Sequence, residues 1–199
     1  MTRVSVLLVI AGLVAASPAQ AQQLQAPNSV VVTIIPGGAT FFRDANDGAR
    51  PSFGNYELGG ALALHFNRYV GVEGEVSGKL GLSQTLTSIA DDVTTPHMLN
   101  YSANVIVSAP NRSAVVPYVT AGLGGLSLFE KEELGIDGTE TFLTSNVGGG
   151  VNWYAGRWGL RGDYRFLTVR SKDEAPEFFG RETRYGHRVY GGVLINLSR

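Results

Sequence analysis

The stretch Val70-Gly-Val-Glu-Gly-Glu-Val-Ser-Gly-Lys-Leu80 decides the fold. Alternate residues separate into two sets. Val70, Val72, Gly74, Val76, Gly78 and Leu80 share one face, and Gly71, Glu73, Glu75, Ser77 and Lys79 share the other. A strand turns successive side chains to opposite faces, whereas a helical period would mix the two sets. The segment before it, Tyr56 to Phe66, alternates likewise. Tyr56, Leu58, Gly60, Leu62, Leu64 and Phe66 stand against Glu57, Gly59, Ala61, Ala63 and His65. Only Asn67-Arg68-Tyr69 joins the two runs, so they predict a tight hairpin.

Working outward, the same period predicts strands at His97–Ser108, Val115–Phe129, Phe142–Tyr154, Trp158–Val169 and Tyr185–Leu197, with a first strand inside Val30–Arg43. Pro36-Gly37-Gly38 interrupts that first strand. Pro117 and the small residues after it leave the faces of 115–129 unassigned. In 158–169, Trp158, Leu160, Gly162, Tyr164 and Phe166 oppose Arg161, Asp163 and Arg165. In 185–197, Val189, Gly191, Val193, Ile195 and Leu197 oppose Arg188, Tyr190, Gly192, Leu194 and Asn196. Polar segments at 83–96, 130–140 and 171–184 alternate with short turns at 67–69, 109–113 and 155–157. Long loops at one end and short turns at the other are the arrangement of an outer-membrane barrel. The expected fold is all-β: one eight-stranded antiparallel up-and-down transmembrane β-barrel over residues 30–199.

Composition sets the compartment. Arg3, the uncharged apolar run Val4–Ala16 and the site Ser17-Pro18-Ala19-Gln20-Ala21 follow in the order of a secretory signal, expected over 1–21. A polar lead at 22–29 is expected to be flexible. With no cysteine there is neither a disulfide framework nor a thiolate metal site, so barrel closure is the available stabilising device. A formal charge of −1 is no footprint for nucleic acid. Twenty-six glycines argue against a helical bundle.

The faces choose between membrane and water. The second faces of 56–66 and 185–197 are small or mixed, which suits a cramped lumen better than a solvated coat. Phe66, Tyr69, Tyr118, Trp153, Tyr154 and Trp158 fall at strand ends near the short turns, as one interfacial girdle would.

Four segments resemble a known family: Asn67-Arg-Tyr-Val-Gly-Val-Glu-Gly-Glu75, Val116-Pro-Tyr-Val-Thr-Ala-Gly-Leu-Gly124, Asn146-Val-Gly-Gly-Gly-Val151 and Gly159-Leu-Arg-Gly-Asp-Tyr-Arg165. In this order they resemble the small outer-membrane β-barrels related to the OmpA-like transmembrane domain, often described as porin-family or surface-antigen proteins. The resemblance implies a bacterial outer-membrane location and a structural, porin-like or surface-antigen role. It also implies outer-membrane lipids, lipopolysaccharide and the barrel-assembly machinery as partners, and a monomer. It implies no cofactor and no catalytic residue. One departure is the ending Ile195-Asn-Leu-Ser-Arg199, where such barrels usually carry a terminal aromatic residue. No peptidoglycan-binding domain is expected in a chain of this length.

The candidate site lies inside the expected lumen. Glu73, Glu75 and Lys79 point inward from one strand, and Arg161, Asp163 and Arg165 from the strand opposite. Lone buried charges are costly, so Glu73 and Glu75 are expected to pair with Arg161 and Arg165 and plug the lumen. A gated ion path is the alternative. Two other classes compete. One is a soluble periplasmic eight-stranded barrel that binds a small apolar ligand. The other is a lipid-modifying enzyme, for which His65, His97 and His187 are the candidate bases, although none sits in a hydrolase signature. Asp91-Asp92 and Asp137-Gly138 read as solvated loops rather than a calcium site. Gly148-Gly-Gly150 has no following helix and lysine, so it reads as close packing rather than a phosphate loop.

Overall fold

The computed structural model describes residues 28–43, 52–85, 92–134, 136–170 and 183–198. The expected signal segment 1–21, most of the lead 22–29, Asp91 and most of the loop 171–184 lie outside the described residues. The strands are β1 (Ser29–Arg43), β2 (Phe53–His65), β3 (Val70–Leu80), β4 (Ser83–Thr85), β5 (Asp92–Thr94), β6 (Met98–Ser108), β7 (Val115–Leu128), β8 (Glu140–Ala155), β9 (Trp158–Val169) and β10 (Arg184–Asn196).

Eight of them close a barrel in the order β1-β10-β9-β8-β7-β6-β3-β2, every pair antiparallel. Closure pairs both edges of each strand and leaves no open sheet edge. β4 and β5 form a separate two-stranded ribbon inside the segment expected as a plain loop. Each has only three residues, too short for a readable period. The acidic segment 129–139 carries a one-turn 3₁₀ helix at Glu132–Leu134, and it turns Ile136 fully inward.

β1 runs straight through Pro36-Gly37-Gly38. Its register shifts between Ile34 and Gly37 against β10, and between Ile35 and Gly38 against β2. This bulge absorbs a proline that cannot donate to a ladder. The Pro36 carbonyl accepts a hydrogen bond of 2.7 Å from the Tyr56 hydroxyl. In hydrocarbon every backbone polar group needs such a partner.

The faces sort as the alternation requires. Outward-facing Leu62, Val105, Val119, Leu123, Leu143, Val147 and Leu160 are exposed, while inward-facing Glu57, Lys79, Arg165 and Arg188 are buried. A water-soluble barrel would have the reverse arrangement. Tyr118 and Tyr154, expected in the girdle, are corrections: they are 4% and 1% exposed and face the lumen. Each alternates with an outward neighbour (Val119 after Tyr118, Trp153 before Tyr154); on β7, Pro117 obscures this phase in the sequence. Phe66, Tyr69 and Trp158 do sit exposed at the short-turn rim. A second aromatic group, unforeseen, lies toward the long-loop end of the outer wall. There Phe166 stacks on Tyr185 at 5.6 Å and meets His187 edge-on at 5.5 Å. From Trp158 to Phe166, strand rise and a usual barrel tilt give about 20 Å, close to the apolar height of such barrels.

Candidate functional site: a charged lumen

β3 and β9 face each other across the closed barrel, because three strands separate them either way round. Alternation sends Glu73, Glu75 and Lys79 inward from β3, and Arg161, Asp163 and Arg165 inward from β9. β2 adds Glu57 and β10 adds Arg188, both buried. The midsection therefore holds four carboxylates (Glu57, Glu73, Glu75, Asp163) and four cations (Lys79, Arg161, Arg165, Arg188).

They form a continuous chain of alternating sign. Lys79 Nζ donates to Glu57 Oε2 at 2.9 Å and to Thr40 Oγ1 at 2.8 Å. Arg188 pairs with Glu57 at 2.7 Å and donates to Glu75. Arg165 meets Glu75 at 3.4 Å and Glu73 at 2.8 Å, and its Nε donates to Asp163 at 3.0 Å. Arg161 donates to Glu73 and to the Tyr118 hydroxyl, the latter at 2.6 Å. Tyr118 in turn donates to Asp163. Rings cover the guanidinium planes: Tyr118 lies 4.5 Å from Arg161 and Tyr190 lies 4.4 Å from Arg188. Burying one charge alone costs far more than burying a matched set, so the four carboxylates and four cations of this midsection offset one another. Arg184 of β10 is a further buried cation outside this midsection set, 5.4 Å from the centre of the Phe53 ring.

Space for the chain comes from glycine. Gly148 of β8 pairs with Arg165 and Gly150 pairs with Asp163. A Cβ at Gly148 would lie 2.1 Å from the Tyr164 carbonyl oxygen and 3.0 Å from Arg165 Cγ. A Cβ at Gly150 would lie 2.7 Å from the Tyr118 hydroxyl. The triple-glycine motif thus makes room for the long side chains opposite.

Apolar layers close the charged layer on both sides. On the long-loop side Phe42, Phe53, Met98, Leu126, Leu128, Ile136, Phe142 and Val169 form one cluster. On the short-turn side Val31, Ala63, Ile106, Val116, Tyr118, Tyr154 and Leu194 form another.

All six residues expected in the lumen are there. Arg161 reaches Glu73, and Arg165 reaches both Glu73 and Glu75. Lys79 joins only through Glu57 and Arg188. Glu57, Arg188, Tyr118 and Tyr190 join the site beyond the six residues expected from the sequence. For Glu57, Arg188 and Tyr190 the signal is the same alternation: Glu57 shares its face with His65, and Arg188 and Tyr190 share theirs with Leu194; Tyr118 follows Pro117, which hides its phase. The histidines are dispersed. His65 is buried in the lumen, and His97 is exposed and accepts from the Gly81 amide at 3.1 Å. His187 sits on the outer wall, 2.8 Å from the Tyr164 hydroxyl. Among the described residues none of the three is hydrogen-bonded to a serine or a carboxylate.

Comparison with known proteins gives the same architecture. The outer membrane protein beta-barrel domain family matches residues 6–190. Among solved structures, Neisserial surface protein A is similar at 15% identity and a TM-score of 0.62, over 83% of this chain and 96% of that one. The N-terminal β-barrel domain of Pseudomonas aeruginosa OprF is similar at 15% identity and a TM-score of 0.54, over 87% of this chain and all of that one. At these identities the likeness is one of fold. No curated protein matches the chain.

Proposed function

The chain belongs to the outer membrane protein β-barrel family, and from that premise we propose that it is a structural or surface-exposed barrel with a plugged lumen, neither an open pore nor an enzyme. Family membership places it in the bacterial outer membrane. The observation that carries the reading is the paired chain of eight charges packed between two apolar layers. A solute crossing this lumen would have to part several ion pairs at once and replace each lost partner. Eight strands leave a bore that side chains fill.

A non-catalytic role rests on the dispersal of His65, His97 and His187, since hydrolysis needs nucleophile, base and orienting acid within hydrogen-bond reach. Contact with the outside falls to the four long connections, where a surface-antigen role would reside. The wall meets outer-membrane lipids and lipopolysaccharide, and the barrel-assembly machinery inserts it. A closed sheet offers no free edge to a second copy, which favours a monomer. Cleavage of the signal after Ala21 is part of the same reading, and the mass of the exported protein tests it.

The central test is conductance of the folded protein in a planar bilayer, with unboiled gel migration as the check on folding. A silent, heat-modifiable barrel is expected. Sustained conductance steps from wild type would overturn the plug. Arg161→Glu places a third carboxyl group beside Glu73 and Asp163, next to the Tyr118 hydroxyl. It should either lower stability or open a leak, and a variant as stable and silent as wild type would sink the proposal.

A further inference from the structure

The charges of this barrel are layered along its axis. The midsection set of four carboxylates and four cations is balanced. All other carboxylates of residues 30–199 fall in or beside the four long connections: Asp44 and Asp47, Asp91 and Asp92, Glu130 to Glu140, and Asp173 to Glu182. The short-turn end is the opposite. Its three turns each carry one arginine and no acid: Arg68 between β2 and β3, Arg112 between β6 and β7, and Arg157 between β8 and β9. All three are exposed, and none pairs with a carboxylate among the described residues. In the barrel order these turns occupy three of the four gaps at that end, and the fourth is flanked by the termini. The arginines therefore form a spaced collar rather than one cluster.

Exposed aromatics share the collar. Phe66 and Tyr69 border Arg68, and Trp158 follows Arg157. The Arg68 guanidinium lies 4.7 Å from the centre of the Tyr69 ring, which holds the cation at the height of the aromatic girdle. Aromatic rings of this kind settle at the level of lipid headgroups, and arginines lay their stems along the apolar wall while the charged ends reach the phosphates.

We propose that the short-turn rim is a docking collar for anionic phospholipid headgroups of the inner leaflet, with Arg68, Arg112 and Arg157 as its phosphate contacts. The partner follows from sign and depth. A cation set level with the girdle meets headgroup phosphate, whereas cell-wall carboxylates lie beyond the turns. The collar fixes how deep the barrel sits, and the acidic opposite end gives that depth a direction. The inference is independent of whether the lumen conducts.

The two tryptophans, Trp153 and Trp158, both lie at this rim, so intrinsic fluorescence reports on it alone. The folded protein would be reconstituted in phosphatidylcholine vesicles containing rising fractions of brominated phosphatidylglycerol or brominated phosphatidylcholine. Brominated phosphatidylglycerol should quench at a lower mole fraction, with an enrichment on the order of fivefold beside each arginine that high salt reduces. The variant carrying Arg68→Gln, Arg112→Gln and Arg157→Gln keeps every strand residue and should bring the two curves together. Coincident curves for wild type overturn the proposal, as does a difference that survives in the variant. Sedimentation with purified peptidoglycan sacculi that the arginines alone confer, together with coincident lipid curves, would reassign the collar to the cell wall.

Discussion

The two halves of the lumen wall differ. β2, β3, β9 and β10 supply all eight midsection charges. The other half supplies small or neutral side chains at the same levels: Asn100, Ser102 and Asn104 on β6, Thr120, Gly122 and Gly124 on β7, and Asn146, Gly148 and Gly150 on β8. One half reaches and the other half yields. Had both walls carried arginine, the bore would be overfilled; had both carried glycine, it would be hollow. Volume is partitioned between the halves as carefully as charge is, and the proposed plug depends on both.

The largest effect should come from breaking the reaching half at its centre. Arg165 contacts Glu73, Glu75 and Asp163. Arg165→Met leaves three buried carboxylates short of a partner and should cost about 3–5 kcal/mol. Denaturant unfolding in detergent micelles, read by loss of the fast-migrating unboiled band, measures it. A loss under about 1 kcal/mol would mean that water already reaches these groups.

Breaking the yielding half comes next. Gly148→Val puts methyl groups where the Tyr164 carbonyl and Arg165 already stand, and should cost about 3 kcal/mol through overpacking. Gly74 on β3 is the control, because it faces outward and has nothing within 4 Å of a built Cβ. Gly74→Val should be neutral or slightly stabilising in the same assay. Equal effects at the two glycines would erase the distinction between the halves.

The difference between halves was only partly legible in the sequence. Val70–Leu80 and Trp158–Val169 could be read residue by residue because charge and apolarity alternate there without a break, and both strands have the bounds so read. The same alternation named six of the eight charges. Glu57 is hard to read as a lumen charge because its face is otherwise glycine, alanine and His65. Arg188 is hard to read as one because Leu194 and Tyr190 make its face mixed. The yielding half was harder to read. Glycine and alanine carry almost no face preference, and Pro117 hid the phase that turns Tyr118 inward. Ile136 was hidden among acidic neighbours, since a single apolar residue in a charged loop has no period to betray its burial.

The chain of ion pairs should also weaken toward its long-loop end. Glu57 keeps Arg188 at 2.7 Å and the Thr40 hydroxyl after Lys79 is removed. Lys79→Met should therefore cost about 2 kcal/mol, less than Arg165→Met, since only one of several partners of a buried carboxylate is lost. The same unfolding assay ranks the two. A Lys79 variant as damaging as the Arg165 variant would place the weight of the chain at its end rather than its centre.

The smallest effect tests the wall from outside, where lumen charge plays no part. Tyr56 lies on the outer face of β2, and its hydroxyl donates to the Pro36 carbonyl at the β1 bulge. Pro36 is skipped in the register with both neighbouring strands, and this hydroxyl supplies a hydrogen bond to its carbonyl there. Tyr56→Phe removes one oxygen and leaves the ring in place. In detergent or lipid the stranded carbonyl should cost about 1 kcal/mol. The loss should be larger in vesicles than in small micelles, where water can reach the bulge. A Tyr56→Phe barrel with unchanged stability in vesicles would mean that the bulge lies in the hydrated headgroup layer, and the apolar band would then have to be drawn closer to the short turns.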